Sequence, residues 1–203
     1  MTLVSVIIPT RNRGDLVKGA VENVLKQTYT DIEIIVVEDG SKSGIKDYLK
    51  ELNDSRVHYY AHNKRKGLSA SRNSGTRIAN GKYIAFMDDD ERWLNNKIDL
   101  QCNLIECYDD ENVMIYCGNI KIDQNGLSKE IIPSAKGEMI KYFFNGHCIG
   151  SSCMMISRKN LLSIGGHSEN ITSCIDHDLW LKLSQFGFIM DYVPRGMVYS
   201  VKH

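Results

Sequence analysis

The residues best suited to chemistry in this sequence are four consecutive acids, Asp88, Asp89, Asp90 and Glu91. They directly follow a mostly apolar run, residues 82–87, of the kind that forms a buried strand. Carboxylates crowded at the end of a buried strand repel one another and are costly to remove from water, so a compensating positive charge is expected. A divalent cation would supply that charge, whereas a solvated turn or a helix start would tolerate the acids without one. The run taken alone fits both interpretations equally.

Two earlier strands are also predicted to end in polar residues. Residues 3–8 lead into Pro9-Thr10-Arg11-Asn12, and residues 32–37 lead into Glu38-Asp39-Gly40-Ser41. Ligands of open parallel sheets bind beyond the carboxyl ends of the strands, so we expect all three strand ends to border one site. An Asp-Gly pair is also common in plain turns, which leaves a structural interpretation open for the second strand end. Neither glycine-rich nucleotide fingerprint occurs, which disfavours a dinucleotide-binding fold and a P-loop.

The elements that would position these residues alternate between strand and helix. The first half predicts strands at 3–8, 32–37, 57–60 and 82–87 and helices at 13–27, 43–53 and 67–79. This rhythm is typical of an α/β fold with a parallel sheet and right-handed crossovers. The second half predicts helices at 94–107, 138–145 and 175–186, extended segments at 113–122 and 153–157, and a hairpin turn at 123–126. We expect one domain, 1–203, with a nucleotide-binding half at 1–92 and a mixed half at 93–203.

Composition limits the classes of partner and the compartment. Lysine plus arginine and aspartate plus glutamate are balanced at 25 each among 203 residues, so no global charge favours nucleic acid or an anionic membrane. No apolar run approaches the about 18 residues of a membrane span, and the N-terminus lacks a secretory pattern. We therefore expect a cytoplasmic protein, with peripheral contact to the inner face of the membrane left open. The six cysteines show no CxxC pair, which predicts reduced core residues ahead of a zinc site: Cys102, Cys107, Cys117, Cys148, Cys153 and Cys174.

The ordered set of motifs resembles the inverting family 2 glycosyltransferases, which have the GT-A fold. The matching stretches span nearly the whole chain: Val4–Thr10 with Asn12, Gln27–Tyr29, Glu38–Ser41, Gly67–Gly75, the acidic strand end, Gly165–Glu169, Asp176–Lys182 and Val198–His203. The resemblance implies transfer of a sugar from a nucleoside-diphosphate sugar, favouring a UDP-sugar, to a hydroxyl of a sugar, lipid-linked or protein acceptor. It also implies a Mn²⁺ or Mg²⁺ cofactor that neutralises the leaving diphosphate.

Individual roles on the donor side follow from the same resemblance. Asp90 corresponds to the direct metal ligand, and Asp88 reaches the ribose or the sugar and also serves the metal. Asp39 corresponds to the acid that accepts a hydrogen bond from the nucleobase, while Thr10 and Asn12 hold the base and the ribose. The resemblance also places Arg72 beside the base or diphosphate, His203 as a metal or diphosphate ligand, and Asp89 at the variable middle position. Glu91 is assigned to a helix start rather than to the metal, because acids are favoured at helix starts.

The catalytic base is also assigned by resemblance. Asp176 corresponds to the carboxylate that takes the proton of the acceptor hydroxyl. The family usually has a glutamate before it, where this chain has Ile175, which leaves Asp178 as the fallback. On a helix these two aspartates point about 200° apart, so both cannot face one substrate. An acid that only stabilises the helix dipole is the structural alternative for Asp176.

Three other functions remain as alternatives at this point. A sugar-nucleotide binding module without activity is suggested by Ile175 and by the chain ending at residue 203. A nucleotidyltransferase would want a glycine-rich loop after the first strand, which Pro9–Gly14 does not provide. A metallophosphatase would need more ligands than the sequence offers.

Overall fold

The chain alternates strands and helices through its first half and then becomes irregular. The computed structural model describes residues 1–109, 112–138, 140, 143 and 149–201. The first elements are β1 (Val4–Thr10), α1 (Gly14–Leu25), β2 (Ile32–Asp39), α2 (Ile45–Leu52), β3 (Val57–His62), α3 (Leu68–Ile78) and β4 (Tyr83–Phe86). They are followed by β5 (Arg92–Trp93), α4 (Lys97–Ile105), β6 (Val113–Ile122), β7 (Ser128–Ile131), β8 (Gly137–Glu138), a 3₁₀ turn (Ser151–Cys153), β9 (Met154–Ser157), α5 (Arg158–Ser163), α6 (Ile175–Gln185) and β10 (Ile189–Val201).

The strands form one mixed sheet in the order β3-β2-β1-β4-β9-β6-β10-β5, with β7 on β6 and β8 on β10. The first four strands are parallel to one another. β9 runs antiparallel to both β4 and β6, and β10 is parallel to β6. The carboxyl ends of β6 and β10 therefore lie at the same sheet edge as those of β1, β2 and β4. The predicted α/β fold with a parallel first half is confirmed.

The core is built on strands that are buried on both faces. Every residue of β1, β2 and β4 is buried, as their continuous β-branched and apolar runs predict. α3 packs closely on this layer because Gly75 faces β1: a methyl group added there would lie 2.5 Å from Ile7 Cγ2. This close approach buries the polar residues of α3 and brings them to the carboxyl edge of the sheet.

Several local predictions are corrected. Glu91 does not start a helix, because the chain enters β5 directly and the next helix begins at Lys97. Of the helix predicted over 138–145, Glu138 lies in β8 and most of the remainder is outside the described residues. Of the matched stretch at 198–203, residues 198–201 form the last part of the longer β10, and residues 202 and 203 lie outside the described residues.

The cysteines only partly follow the prediction of a reduced core set. Cys102, Cys117 and Cys153 are free and buried. Cys107 and Cys174 are free but exposed, so the core prediction is wrong for these two. Cys107 lies beyond the end of α4, and Cys174 precedes α6 with a left-handed φ of 54°; Cys148 is outside the described residues. Within the described part of the chain, no helix is long and apolar enough to cross a membrane.

Candidate active site

A cleft lies where the carboxyl ends of β1, β2 and β4 meet. It has a volume of about 470 Å³. Its lining comes from these strand ends and from the start of α3: Pro9, Thr10, Arg11, Arg13, Asp39, Arg65, Gly67, Leu68, Ser71, Asp88, Asp89 and Asp90. The three strand ends therefore do border one cavity, as the parallel topology requires.

The acidic run is held by neighbours from other elements. Asp89 is buried, where its carboxylate accepts hydrogen bonds from Thr10 Oγ1 at 2.7 Å and from Arg13 Nη1 at 3.0 Å. Asp90 is more exposed and pairs with the same Arg13 nitrogen at 3.0 Å. The backbone N–H of Asp88 donates to Ser152 Oγ at 3.0 Å. Asp89 is thus a structural anchor, and the side chains of Asp88 and Asp90 on either side of it are more accessible.

Arg72 joins the acidic run to α6. Its Nη2 donates to Asp88 at 2.8 Å, and its Nη1 donates to Asp176 at 2.9 Å. The Arg72 side chain is 2% exposed, whereas those of Asp88 and Asp176 are 37% and 26% exposed. Asp88 lines the cleft and Arg72 does not. One buried guanidinium therefore holds Asp88 and Asp176 side by side, although they are far apart in the chain.

Asp176 and Asp178 have different surroundings. Asp176 also accepts a hydrogen bond from Ser151 Oγ, in the 3₁₀ turn before β9. Asp178 accepts from Ser168 Oγ and lies 3.7 Å from Lys182 Nζ. The expected divergence of the two side chains on the helix is confirmed, and of the two Asp176 is the one next to the acidic run.

Asp39 organises the wall of the cleft. Its carboxylate accepts the backbone N–H groups of Lys66 at 2.7 Å and Gly67 at 2.9 Å, and contacts His62 Nδ1 at 2.9 Å. Burial alone would raise the pKa of Asp39, but the hydrogen bonds from His62 and from these two amides lower it below its usual value. Asp39 is therefore ionised at neutral pH and fixes the loop that leads into α3.

The other predicted residues differ in how close they lie to the cleft. Thr10 lines it and is bonded to Asp89. Asn12 is exposed with φ 56°, is not among the lining residues, and donates its backbone N–H to Ser41 Oγ. His203 lies outside the described residues. The donor-binding roles of Thr10, Asn12, Asp39, Arg72 and Asp88 stay predictions.

The donor atoms of the acidic run fit a divalent cation. Asp88 and Asp90 present partly exposed carboxylate oxygens, which hard cations prefer. Burial raises the pKa of Glu91 to about 7, and the charge of Asp88 adds to the rise. No cluster of three or more acidic, histidine or cysteine ligands occurs among the described residues. Magnesium sites often use one or two carboxylates together with substrate phosphates, so two are enough.

Sequence reasoning missed Arg13 as a residue of the site. Arg13 does carry a usable signal, because it is a basic residue in the loop after β1. The family resemblance places Ser151 and Ser152 in a loop on the acceptor side, but it does not predict their contacts with Asp176 and Asp88. His167 belongs to the matched stretch Gly165–Glu169 and packs edge-to-face on Phe86 at 5.1 Å.

Comparison with solved structures defines the class. The complex of S. aureus TarS 1-349 with UDP-GlcNAc has a TM-score of 0.82 at 16% identity, covering 100% of this chain and 59% of that chain. GalNAc-T7 with UDP, GalNAc and Mn²⁺ has a TM-score of 0.78 at 18% identity, covering 100% of this chain and 44% of that chain. At these identities the likeness shows the fold, which is the GT-A fold.

Sequence comparison defines the family. The model of glycosyl transferase family 2 matches residues 5–165, and the chain belongs to this family. An Escherichia coli relative named UDP-Glc:alpha-D-GlcNAc-diphosphoundecaprenol beta-1,3-glucosyltransferase WfaP is 33% identical over 192 residues, covering 92% of this chain and 72% of that protein. An uncharacterized glycosyltransferase of Rickettsia typhi is 32% identical over 186 residues, and the chain spans 58% of its length.

Proposed function

We propose that this protein is a metal-dependent inverting glycosyltransferase that moves a sugar from a UDP-sugar to an acceptor hydroxyl. The observation that carries the proposal is the double contact of Arg72, which places the candidate base Asp176 beside the cleft acid Asp88. A donor bound along the acidic run would bring its anomeric carbon near a carboxylate that can take a proton. A binding module would not need that carboxylate there.

The donor side of the proposal rests on the cleft between the strand ends. Asp88 and Asp90 would hold Mn²⁺ or Mg²⁺, which supplies charge neutralisation to the leaving diphosphate. Asp39, Thr10 and Asn12 would hold the nucleoside. A UDP-sugar is favoured because WfaP is named for UDP-Glc and TarS was solved with UDP-GlcNAc.

The chemistry is a single displacement at the anomeric carbon. The acceptor oxygen attacks opposite the leaving group, so a new bond from this oxygen to carbon forms while the bond from carbon to the phosphate oxygen breaks. The electron pair of the broken bond leaves with UDP, and the acceptor proton passes to Asp176. Arg72 and Ser151 would hold Asp176 in place for this transfer, and the anomeric configuration inverts.

The acceptor belongs to polysaccharide, glycolipid or other glycoconjugate synthesis in this proposal. The name of WfaP includes a lipid-linked acceptor, which would fit work at the inner face of the membrane. The proposal therefore includes a location in the cytoplasm.

The test is release of UDP from a panel of UDP-sugars with Mn²⁺, with and without sugar and polyprenyl-diphosphate sugar acceptors. The matched pair of variants is Asp176→Asn and Asp178→Asn, two residues apart on α6. We expect Asp176→Asn to lose at least about 10²-fold in turnover, because a positioned general base contributes about 10² to 10⁴. Asp178→Asn should keep turnover within about threefold, because its carboxylate contacts only Ser168 and Lys182 among the described residues.

Each outcome has a clear meaning. Full activity in Asp176→Asn would refute the base assignment. UDP binding with Mn²⁺ but no UDP release with any acceptor would favour the binding module instead.

A further inference from the structure

Arg13 makes contacts that the proposed reaction does not yet use. Its Nη1 lies 3.0 Å from Asp89 Oδ1 and 3.0 Å from Asp90 Oδ2. Both contacts come from one nitrogen, and among the described residues Nη2 and Nε of Arg13 have no acceptor. Arg13 lines the cleft, and its side chain is 52% exposed. The guanidinium therefore has spare donors that face the place where a diphosphate would lie.

The two acids that Arg13 contacts are not equivalent. The Asp89 side chain is 6% exposed and is held by Thr10, so it is fixed in place. The Asp90 side chain is 23% exposed and lies on the open side of the run. Arg13 can leave Asp90 without leaving an isolated buried charge behind, and it can stay anchored through Asp89.

The backbone under Arg13 is closely packed, so any movement belongs to the side chain. Arg13 directly precedes the first residue of α1, Gly14, where an added methyl group would lie 2.5 Å from the carbonyl oxygen of Ser43. A long side chain on a fixed backbone can change partners by rotating about its own bonds. This suits a group that exchanges one anion for another.

Resting on the proposed function, we propose that Arg13 is an exchangeable counter-ion: it occupies Asp90 while no cation is bound, and transfers to the donor diphosphate when the metal and the nucleotide arrive. A cation on Asp90 competes with Arg13 for the same carboxylate and is repelled by the guanidinium. A diphosphate offers oxygens that match the fork of an arginine. Metal and nucleotide therefore bind weakly one at a time and strongly together.

The consequence is a coupling between two ligands. Coupling between two ligands is reciprocal, so UDP raises the affinity for Mn²⁺ by the same factor by which Mn²⁺ raises the affinity for UDP. Part of that factor comes from Arg13, because the nucleotide draws a positive charge away from the metal ligand. Replacing Arg13 should therefore change the affinities for the two ligands in opposite directions, which loss of a purely structural contact would not do.

The experiment measures binding by titration calorimetry, with Mn²⁺ alone and with UDP at saturating Mn²⁺. We expect Arg13→Ala to bind Mn²⁺ alone about threefold to tenfold more tightly, since a half-exposed opposing charge is removed. We expect it to bind UDP with Mn²⁺ about tenfold more weakly, since a charge-assisted contact to phosphate is lost. Arg13→Lys keeps the charge but loses the forked guanidinium, so its affinities for Mn²⁺ and for UDP should lie between those of the wild type and of Arg13→Ala.

The matched control is Arg11→Ala, which removes the same charge from the same cleft. Within the described residues Arg11 has no hydrogen bond or ion pair with the acidic run, so its loss should leave the affinity for Mn²⁺ alone within about twofold. If Arg11→Ala bound Mn²⁺ more tightly by the same factor as Arg13→Ala, the cause would be a general loss of positive charge in the cleft rather than an exchange at Asp90, and the proposal would be overturned. Unchanged or weaker Mn²⁺ binding in Arg13→Ala would also overturn it.

The fate of the exchange can be separated from that of the proposed function. A wild-type protein that binds Mn²⁺ and UDP cooperatively but transfers no sugar overturns the function and leaves the exchange standing. Sugar transfer with unchanged Mn²⁺ affinity in Arg13→Ala overturns the exchange alone. A wild-type protein that binds no Mn²⁺ even with UDP overturns both.

Discussion

Replacement of Arg72 by methionine tests whether this residue acts through the candidate base or on the donor. Methionine fills the space of the side-chain stem but removes the two contacts to Asp88 and Asp176. If Arg72 positions Asp176, turnover should fall while UDP affinity stays within about threefold. If it binds the diphosphate, UDP affinity should fall instead. The separation of kcat from donor binding therefore distinguishes the two roles.

The cost in stability is smaller than the burial of Arg72 suggests. Two charge-assisted hydrogen bonds contribute about 1.5–3 kcal/mol each. Against this, the side chains of Asp88 and Asp176 are 37% and 26% exposed, so they regain water when Arg72 is removed. The variant also no longer buries a charge whose Nε is unpaired within the described residues. We expect a net loss of about 1–3 kcal/mol in the free energy of unfolding, measured by urea titration, which leaves a folded protein for kinetics.

The cost in turnover should be larger. A general base contributes about 10²–10⁴ in rate, and a base without its guanidinium keeps only part of that. We expect kcat to fall about 10²-fold, which is about 2.7 kcal/mol in the barrier. The assay is release of UDP at saturating donor and Mn²⁺, with acceptor varied.

A double variant gives the decisive comparison. If Arg72 works through Asp176, then Arg72→Met in an Asp176→Asn background should cost little more than Asp176→Asn alone. A further drop of about 10²-fold in the double variant would refute the positioning role, as would full kcat in Arg72→Met.

Two further predictions concern residues next to the site. His167 is 2% exposed with both ring nitrogens unpartnered within the described residues, and burial holds its pKa well below the usual value. The unfolded chain therefore binds a proton at this histidine more readily than the folded chain, so stability present above about pH 6.5 is lost as the pH falls toward the folded pKa. His167→Phe should raise the urea midpoint of unfolding and should not show this loss at low pH. If the change in urea midpoint between pH 8 and pH 5 were the same in His167→Phe as in the wild type, the reasoning would be contradicted. Gly75→Ala should lower the free energy of unfolding by about 1–3 kcal/mol, because it forces a methyl group against Ile7. Gly150→Ala is the control and should leave stability unchanged, because there is open space around Gly150. Equal urea midpoints for the two variants would show that α3 can move away from β1.

Patterns along the chain could predict the elements and the polar strand ends. β1, β2 and β4 were recognisable as buried runs, and parallel topology then requires the residues after them to meet at one edge. The same reasoning could not find the Arg72 bridge, because its two partners lie 16 and 104 positions away and no periodicity relates them. The resemblance predicts only that Arg72 lies beside the base or the diphosphate, and nothing in the local sequence indicates that the residue is fully buried.

The errors have physical causes of the same kind. Glu91 was assigned to a helix start because acids favour that position, but β5 follows it and its carboxylate is half-buried beside Asp88. Two cysteines were assigned to the core from residue type alone, whereas Cys107 and Cys174 lie in the segments flanking helices. Local preference was overridden in each case by how the segment joins its neighbours.

The position of β9 between β4 and β6 has a consequence for synthesis of the chain. β4 pairs with β1 on one side, but its other side pairs with residues of β9, which are made about 70 positions later. At a translation rate of about 5–20 residues per second, this edge of β4 remains unpaired for roughly 3.5–14 s before β9 is made. An unpaired apolar strand edge is a template for pairing with other chains. The first half of this protein should therefore depend on chaperones while it leaves the ribosome, and should aggregate when expressed without the segment that contains β9.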